Sequence, residues 1–169
     1  MCSVLSILPA CKKDSVSSNM ENVTNQIKQE ASPATPQEIK ETSHHGVIIP
    51  KEHKAQLGMV TSANEKLTGF WTPNLESVQS FEAGLLSYLE KSPPKMSPNL
   101  AQKSIKYKRQ YIGFLEGEKK LIYGNFICIP LEGWTELFVE IAGGGDCFFQ
   151  IVFDVQTQTY SDLSVNGGS

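Results

Sequence analysis

The sequence predicts an α+β domain in which one N-terminal helix packs across a curled antiparallel meander of four to five strands. One apolar stripe at helical period is followed by several segments that alternate apolar and polar residues. The aromatic residues, 8 Phe, 5 Tyr and 2 Trp, begin at Phe70, and aromatic side chains supply much of the buried area of a core. We therefore expect residues 61–169 to form the folded domain.

The helix is predicted over residues 73–91. Thr72 and Pro73 give a capping side chain followed by proline at the first helical position, and the Pro93-Pro94 pair ends the segment. Gly84 lies inside the apolar stripe and indicates close packing against a sheet. The stripe consists of Leu75, Val78, Phe81, Leu85, Leu86 and Leu89.

Five segments after the helix are predicted to be strands. The first two are joined by a short turn that contains glycine, which favours a hairpin. The triple glycine at 143–145 predicts another turn, since it lacks the downstream lysine of a phosphate-binding loop. The five strand segments are 105–116, 120–129, 136–142, 147–154 and 159–165.

Residues 12–60 are predicted to be a disordered linker. They contain no aromatic residue and many polar residues, and Pro33 and Pro36 interrupt any helix. The short apolar segment 46–50 has two interpretations, an extended segment that lies on the domain or an apolar part of the tail.

Residues 1–11 resemble the signal segment of bacterial lipoproteins. A short apolar run ends in Leu8-Pro9-Ala10-Cys11, which is similar to a lipobox, although no Lys or Arg precedes the run. The resemblance implies that Cys11 is lipidated and that a lipid anchor alone holds the protein on the periplasmic side of the cell envelope. The alternative is a cytoplasmic protein whose apolar start has no targeting role.

The residue inventory argues against several kinds of chemistry. His44, His45 and His53 all precede the predicted domain, which excludes histidine-based catalysis within it, and they lie in a polar linker that is a poor metal site. No C-x-x-C motif occurs, and the net charge of −3 does not favour a nucleic-acid partner. We expect no enzyme activity, no metal and no cofactor.

Cys128 and Cys147 are the cysteines of the predicted domain and a possible disulfide. The predicted strand 136–142 lies between the strands that carry them, which would place the two residues at opposite ends of the sheet. Two separate buried thiols are therefore favoured over a bond, and both states stay open.

A speculative ligand pocket is predicted between the helix and the sheet. Arg109, Tyr107, Tyr111 and Tyr123 can line it. Strict alternation places Arg109 on the tyrosine face of its strand, where a buried guanidinium needs a carboxylate partner, and Glu82 on the helix is a candidate.

One basic cluster stands out in the chain, formed by Lys103, Lys106, Lys108 and Arg109. Its favoured interpretation is a solvated strand whose lysines prevent edge aggregation. The alternative is a surface for an anionic partner, such as a lipid headgroup or an acidic polymer.

The element order and several short motifs resemble the cystatin-like architecture, which is shared with the nuclear-transport-factor-like superfold. The same motifs are similar to small bacterial proteins of unknown function that end in Asn-Gly. The resemblance covers about residues 70–169 and implies a fold but no activity. The motifs are Phe70-Trp71-Thr72-Pro73, Arg109-Gln110-Tyr111-Ile112-Gly113, Gly143-Gly144-Gly145, Phe153-Asp154 and Val165-Asn166-Gly167.

These observations favour a non-catalytic binding module, tethered in the envelope, with a protein or peptide partner. One alternative is a small enzyme or ligand-binding protein that uses a pocket between helix and sheet. A second alternative is a soluble cytosolic partner or immunity-type protein. Inhibition of the cystatin type is disfavoured, because the nearest match to its Gln-x-Val-x-Gly loop, residues 150–154, lacks the glycine.

Overall fold

The structure is a computed structural model that describes residues 34–40, 45–53, 66–95, 97–129 and 131–167. The proposed lipidation site Cys11, the segment 1–11 and much of the segment 12–60 lie outside the described residues. Within the described part of the chain, no helix is long and apolar enough to cross a membrane.

The described secondary structure consists of seven strands, two α-helices and two short 3₁₀ segments, at residues 51–53 and at Gly145–Cys147, of which the second is called the 3₁₀ helix below. The strands all belong to one mixed sheet. In chain order the elements are β1 (Gln37–Lys40), β2 (His45–Ile49), β3 (Gly69–Trp71), α1 (Leu75–Lys91), α2 (Leu100–Ser104), β4 (Lys108–Glu116), β5 (Lys119–Ile127), the 3₁₀ helix (Gly145–Cys147), β6 (Phe148–Asp154) and β7 (Thr159–Val165).

The predicted fold class, one helix on an antiparallel meander of four to five strands, is wrong. The sheet has the order β1-β2-β4-β5-β6-β7, β3 also pairs with β4, and β2 runs parallel to β4. Two of the additional strands lie within the segment that was predicted to be a linker. The apolar segment 46–50 supplies one of them, because Val47, Ile48 and Ile49 are buried in a continuous run, as in strands that are covered on both faces.

The predicted strand 136–142 is absent, and a row of three amide side chains, two of them buried, explains why. Gln110, Asn125 and Gln150 are direct cross-strand neighbours on β4, β5 and β6. The Asn125 Nδ2 donates to Gln110 Oε1 at 3.0 Å, and the Gln150 Nε2 donates to Asn125 Oδ1 at 3.3 Å. We call these three residues the amide row.

The amide row binds the backbone of the segment 131–142. The Gln110 Nε2 donates to the carbonyls of Trp134 (2.6 Å) and Leu137 (2.7 Å). Val139 donates its N–H to Gln110 Oε1 at 2.9 Å, and its carbonyl accepts from Asn125 Nδ2 at 2.8 Å. The segment therefore lies across the face of the sheet, bonded to side chains, instead of extending the sheet at an edge.

This segment also covers apolar residues on the back face of the sheet. Trp134 and Phe138 pack against the small back core, whereas Leu137 is 55% exposed. The alternating pattern of this segment therefore does not reflect a strand. It belongs to a loop whose two aromatic rings, those of Trp134 and Phe138, pack against the sheet. The back core consists of Val47, Ile49, Ile112, Phe114, Leu121 and Val152.

Helix α1 covers the front face of the sheet. Its N-cap is Asn74, whose Oδ1 accepts from the Ser77 N–H at 2.9 Å, so the predicted cap at Thr72 is wrong by two residues. The predicted stripe is buried at Val78, Phe81, Leu85 and Leu89, while Leu75 and Leu86 are exposed.

Phe81 is the central contact between α1 and the sheet. It is fully buried, and a Cβ on Gly124 of β5 would lie only 2.5 Å from its Cζ, so the glycine makes room for the ring. Gly84 allows a second close approach, since a Cβ there would lie 3.0 Å from the Tyr160 hydroxyl. That hydroxyl donates to the Phe81 carbonyl. The prediction of close packing at Gly84 is confirmed.

We expect Gln110→Leu to release the segment 131–142 from the sheet. The change removes two donated and two accepted hydrogen bonds and leaves buried partner groups unpaired, which costs about 1–3 kcal/mol for each such group. A protease specific for glutamate should then cleave at Glu132, Glu136 or Glu140 faster than in the wild type. Gln102→Leu, at an exposed glutamine, is the control. Equal cleavage of both variants would contradict the role of the amide row.

Candidate functional site

The structure separates the members of the predicted basic cluster. Arg109 is 4% exposed and lies under α1 on the front face. The Lys108 ammonium lies 5.8 Å from the centre of the Trp134 ring, on the back of the sheet. Lys103 lies in the last turn of α2 and Lys106 lies in the connection from α2 to β4, and both residues are exposed. Only these last two residues share a surface that a partner can reach.

Arg109 makes its polar contacts inside the domain. Its Nε lies 3.2 Å from Glu82 Oε1, an ion-pair distance without a hydrogen bond at the Nε–H. The Nη1 and Nη2 atoms donate to the carbonyls of Tyr107 (2.8 Å) and Ser104 (3.2 Å). The guanidinium carbon also lies 5.1 Å from the centre of the Phe126 ring. The Glu82 partner that the sequence suggested is therefore present.

The predicted pocket residues do not all lie on one face of the sheet. Tyr107 and Tyr111 accompany Arg109 on the front face, and the Tyr111 hydroxyl donates to Glu82 Oε1 at 2.8 Å. Tyr123 packs with the back core. Burial, with the nearby charge of Glu140 as a second cause, raises the pKa of Tyr123 to about 12.

Aromatic rings fill the space between α1 and the sheet where that pocket was predicted. The ring centroids of Phe81 and Tyr111 are 5.6 Å apart, those of Phe81 and Phe126 are 6.2 Å apart, and Phe126 stacks on Phe149 at 4.2 Å. All four rings are fully buried. The buried polar groups here hold α1 on the sheet.

Cys128 and Cys147 form a disulfide. Their Cα atoms are 4.9 Å apart, and the Cys128 N–H donates to the Cys147 carbonyl at 2.9 Å. The expectation of separate thiols depended on a strand between β5 and β6. Because that strand is absent, Ile127 pairs directly with Phe148, and the cysteines continue the same ladder by one residue.

Asp146, next to the disulfide, ties the 3₁₀ helix to the region of α2. Its Oδ2 accepts from Lys103 Nζ at 2.6 Å and from Ser97 Oγ at 2.5 Å, while its backbone carbonyl accepts from the Tyr107 hydroxyl at 3.0 Å. Hydrogen bonds from Lys103 and then Ser97 hold the pKa of the Asp146 carboxyl below its ordinary value. Burial, together with the charge of Asp146, raises the pKa of Tyr107.

Beside these residues lies an open groove of about 470 Å³, which we call the lysine groove. Its polar rim is exposed, whereas a buried tyrosine and a half-buried cysteine of the disulfide form its inner wall. Among the described residues, Lys106 has no carboxylate within ion-pair distance, and Lys103 has Asp146. The groove is lined by Gln102, Lys103, Lys106, Tyr107 and Cys128.

Other polar features of the described residues are less organised. No group of three or more His, Cys, Asp or Glu side chains there is arranged to hold a metal ion. His53 Nε2 lies 3.0 Å from the Ala34 carbonyl oxygen. A second depression, of about 560 Å³, carries charges of both signs and is lined by Lys51, Glu52, Gly69 and Phe70.

No family model matches the chain, and comparisons with curated proteins and with solved structures found no match either. The structure gives packing roles to several residues in the motifs behind the cystatin-like resemblance. The Trp71 indole donates to the carbonyls of Phe114 and Leu121, and Asn166 donates to those of Ile141 and Gly143. These motifs therefore support local structure and identify no activity.

We expect Asp146→Asn to lower stability at pH 7 by no more than about 1 kcal/mol, because the Lys103–Asp146 pair is partly exposed. The native pKa of Asp146 lies below its ordinary value of 3.8, so its ionised form stabilises the native state above that pH. This contribution disappears as pH falls through the native pKa. Thermal unfolding between pH 7 and pH 2 should therefore show the wild type and the variant converging below about pH 4. A constant difference over this range would contradict the prediction.

Proposed function

We propose that this protein is a non-catalytic binding module, held at the membrane by a lipidated N-terminal tether, that engages a partner protein through the lysine groove. The observation that carries the proposal is the contrast between the two sets of cations. Arg109 is consumed by contacts within the fold, whereas Lys103 and Lys106 lie exposed at a framed groove. Lys103 is paired with Asp146, whereas Lys106 has no carboxylate partner among the described residues, so its charge is available to a partner protein.

The frame of the groove supports this proposal. Residues from the region of α2 and from the end of β5 line the groove, and the 3₁₀ helix is bonded to both. The disulfide joins the 3₁₀ helix to the end of β5, and the Asp146 hydrogen bonds join it to the region of α2. A surface that is ordered before binding loses less conformational entropy when a partner arrives.

The disulfide also supports the location in the cell envelope. Disulfides persist in oxidising compartments such as the bacterial periplasm and are rare in the cytosol. An enzyme with a pocket between helix and sheet has less support, because the rings of Phe81, Tyr111, Phe126 and Phe149 fill that space. We therefore favour the tethered binding module over both alternatives.

The tether predicts a defined mass for the native protein. After alkylation without reduction, we expect a chain that begins at Cys11, carries acyl groups and keeps Cys128 and Cys147 unalkylated. Intact-mass spectrometry of protein from the source cells measures all three properties. An unlipidated chain that retains Met1 and has four alkylated thiols would contradict the proposed tether and location.

The binding role predicts a partner at the groove. A photoreactive p-benzoylphenylalanine in place of Gln102, on the rim, should give one discrete adduct in the source cells, which mass spectrometry then identifies. The same replacement at Gln79, an exposed glutamine of α1, is the matched control. Adducts of equal yield at both positions, or at neither, would contradict a binding role for the groove.

A further inference from the structure

We infer that the lysine groove binds an acidic peptide segment of the partner, with a carboxylate placed between Lys103 and Lys106. This inference rests on the proposed function and adds the chemistry of the partner. The groove has two lysines and one neighbouring carboxylate, Asp146, so its local balance is positive on a chain whose net charge is −3. A positive region on a negative protein selects and orients an acidic partner.

The lining of the groove matches the parts of a peptide. Lys106 offers three ammonium donors, and among the described residues it has no competing carboxylate. The Gln102 amide can donate to a peptide carbonyl and accept from a peptide N–H. The Tyr107 ring and the disulfide supply apolar surface, because the tyrosine hydroxyl is already bonded to the Asp146 carbonyl. The groove thus offers a partner for each chemical group in a short acidic segment.

The size of the groove suits a short segment of a partner. The groove is open to solvent, and a volume of about 470 Å³ can take a few side chains. The Asp146 hydrogen bonds and the disulfide fix the position of one wall relative to α2. A few residues of the partner can therefore fill the groove.

The single arginine of the chain does not line the groove. Bidentate recognition of phosphate is typical of arginine, and Arg109 is buried away from the groove. Lysines at the rim act as point charges, which pair with single carboxylates and can also pair with phosphate. A lipid headgroup would also bring the protein, which carries a net negative charge, against an anionic surface. We therefore assign the groove to an acidic peptide.

The test uses the full-length protein and a displayed library of random decapeptides. Peptides selected by the wild type should be enriched in Asp and Glu, and fluorescence anisotropy of labelled copies gives their affinities.

Lys106→Glu should weaken binding by at least about tenfold, and added salt should weaken binding to the wild type. Lys119→Glu, the same charge change at the other end of the β4–β5 hairpin, should change affinity less than about twofold, because its charge is screened at that distance. Thermal unfolding establishes that both variants are folded.

Several outcomes would overturn the inference. Selected peptides without acidic enrichment, or equal affinity for the wild type and Lys106→Glu, would show that the partner is not recognised by charge. Lys106-dependent binding to phosphatidylserine vesicles in place of peptides would assign the groove to a lipid surface. Lys106-dependent self-association would assign it to a second copy of the chain.

The test also separates this inference from the proposed function. If the Gln102 adduct forms but no acidic peptide binds, the binding module stands and the partner chemistry is wrong. If neither the adduct nor peptide binding is seen, both proposals are wrong.

Discussion

The amide row of Gln110, Asn125 and Gln150 determines how the second half of the sheet is ordered. Buried amides need partners for every donor and acceptor, since a buried unpaired group costs about 1–3 kcal/mol. The row meets this need with the backbone of the segment 131–142, which therefore lies across the back of the sheet. With this segment removed from the strand order, β5 and β6 become direct neighbours. The long connection between β5 and β6 thus covers the back core and places no further strand between these two strands.

The position of the groove follows from this arrangement. Because β5 and β6 are neighbours, Cys128 faces Cys147, and the disulfide closes the ladder at one end of the sheet. Asp146 is the residue before the second cysteine, so it reaches the region of α2 and bonds Lys103 there. A polar row on the back face thereby positions a cationic groove near the front. Loss of the row should disturb the groove without any change in a groove residue.

Local patterns predicted the elements that depend on local sequence. The helix, the β4–β5 hairpin and the strands β6 and β7 lie within a few residues of their predicted bounds, because each has a clear period. The parallel pairing of β2 with β4 joins residues more than 60 positions apart, and no local pattern indicates it. The segment 136–142 alternates apolar and polar residues as a strand does. Its position across the sheet depends on Gln110 and Asn125, which resemble solvated strand residues in the sequence. Because a strand was wrongly predicted at 136–142, separate thiols were favoured over a disulfide between Cys128 and Cys147.

The same reasoning explains why the candidate site was only partly visible in the sequence. Four cations follow one another closely in the chain, and alternation correctly placed Arg109 on the inner face with Glu82 as its partner. The predicted strand 105–116 placed Lys106 on one face with Lys108, but β4 begins at Lys108, so Lys103 and Lys106 both precede it. Those two positions are set by α2 and by Asp146, a residue 43 positions away from Lys103. The fold thus buries the cation that alternation placed correctly and leaves exposed the two cations that precede the strand.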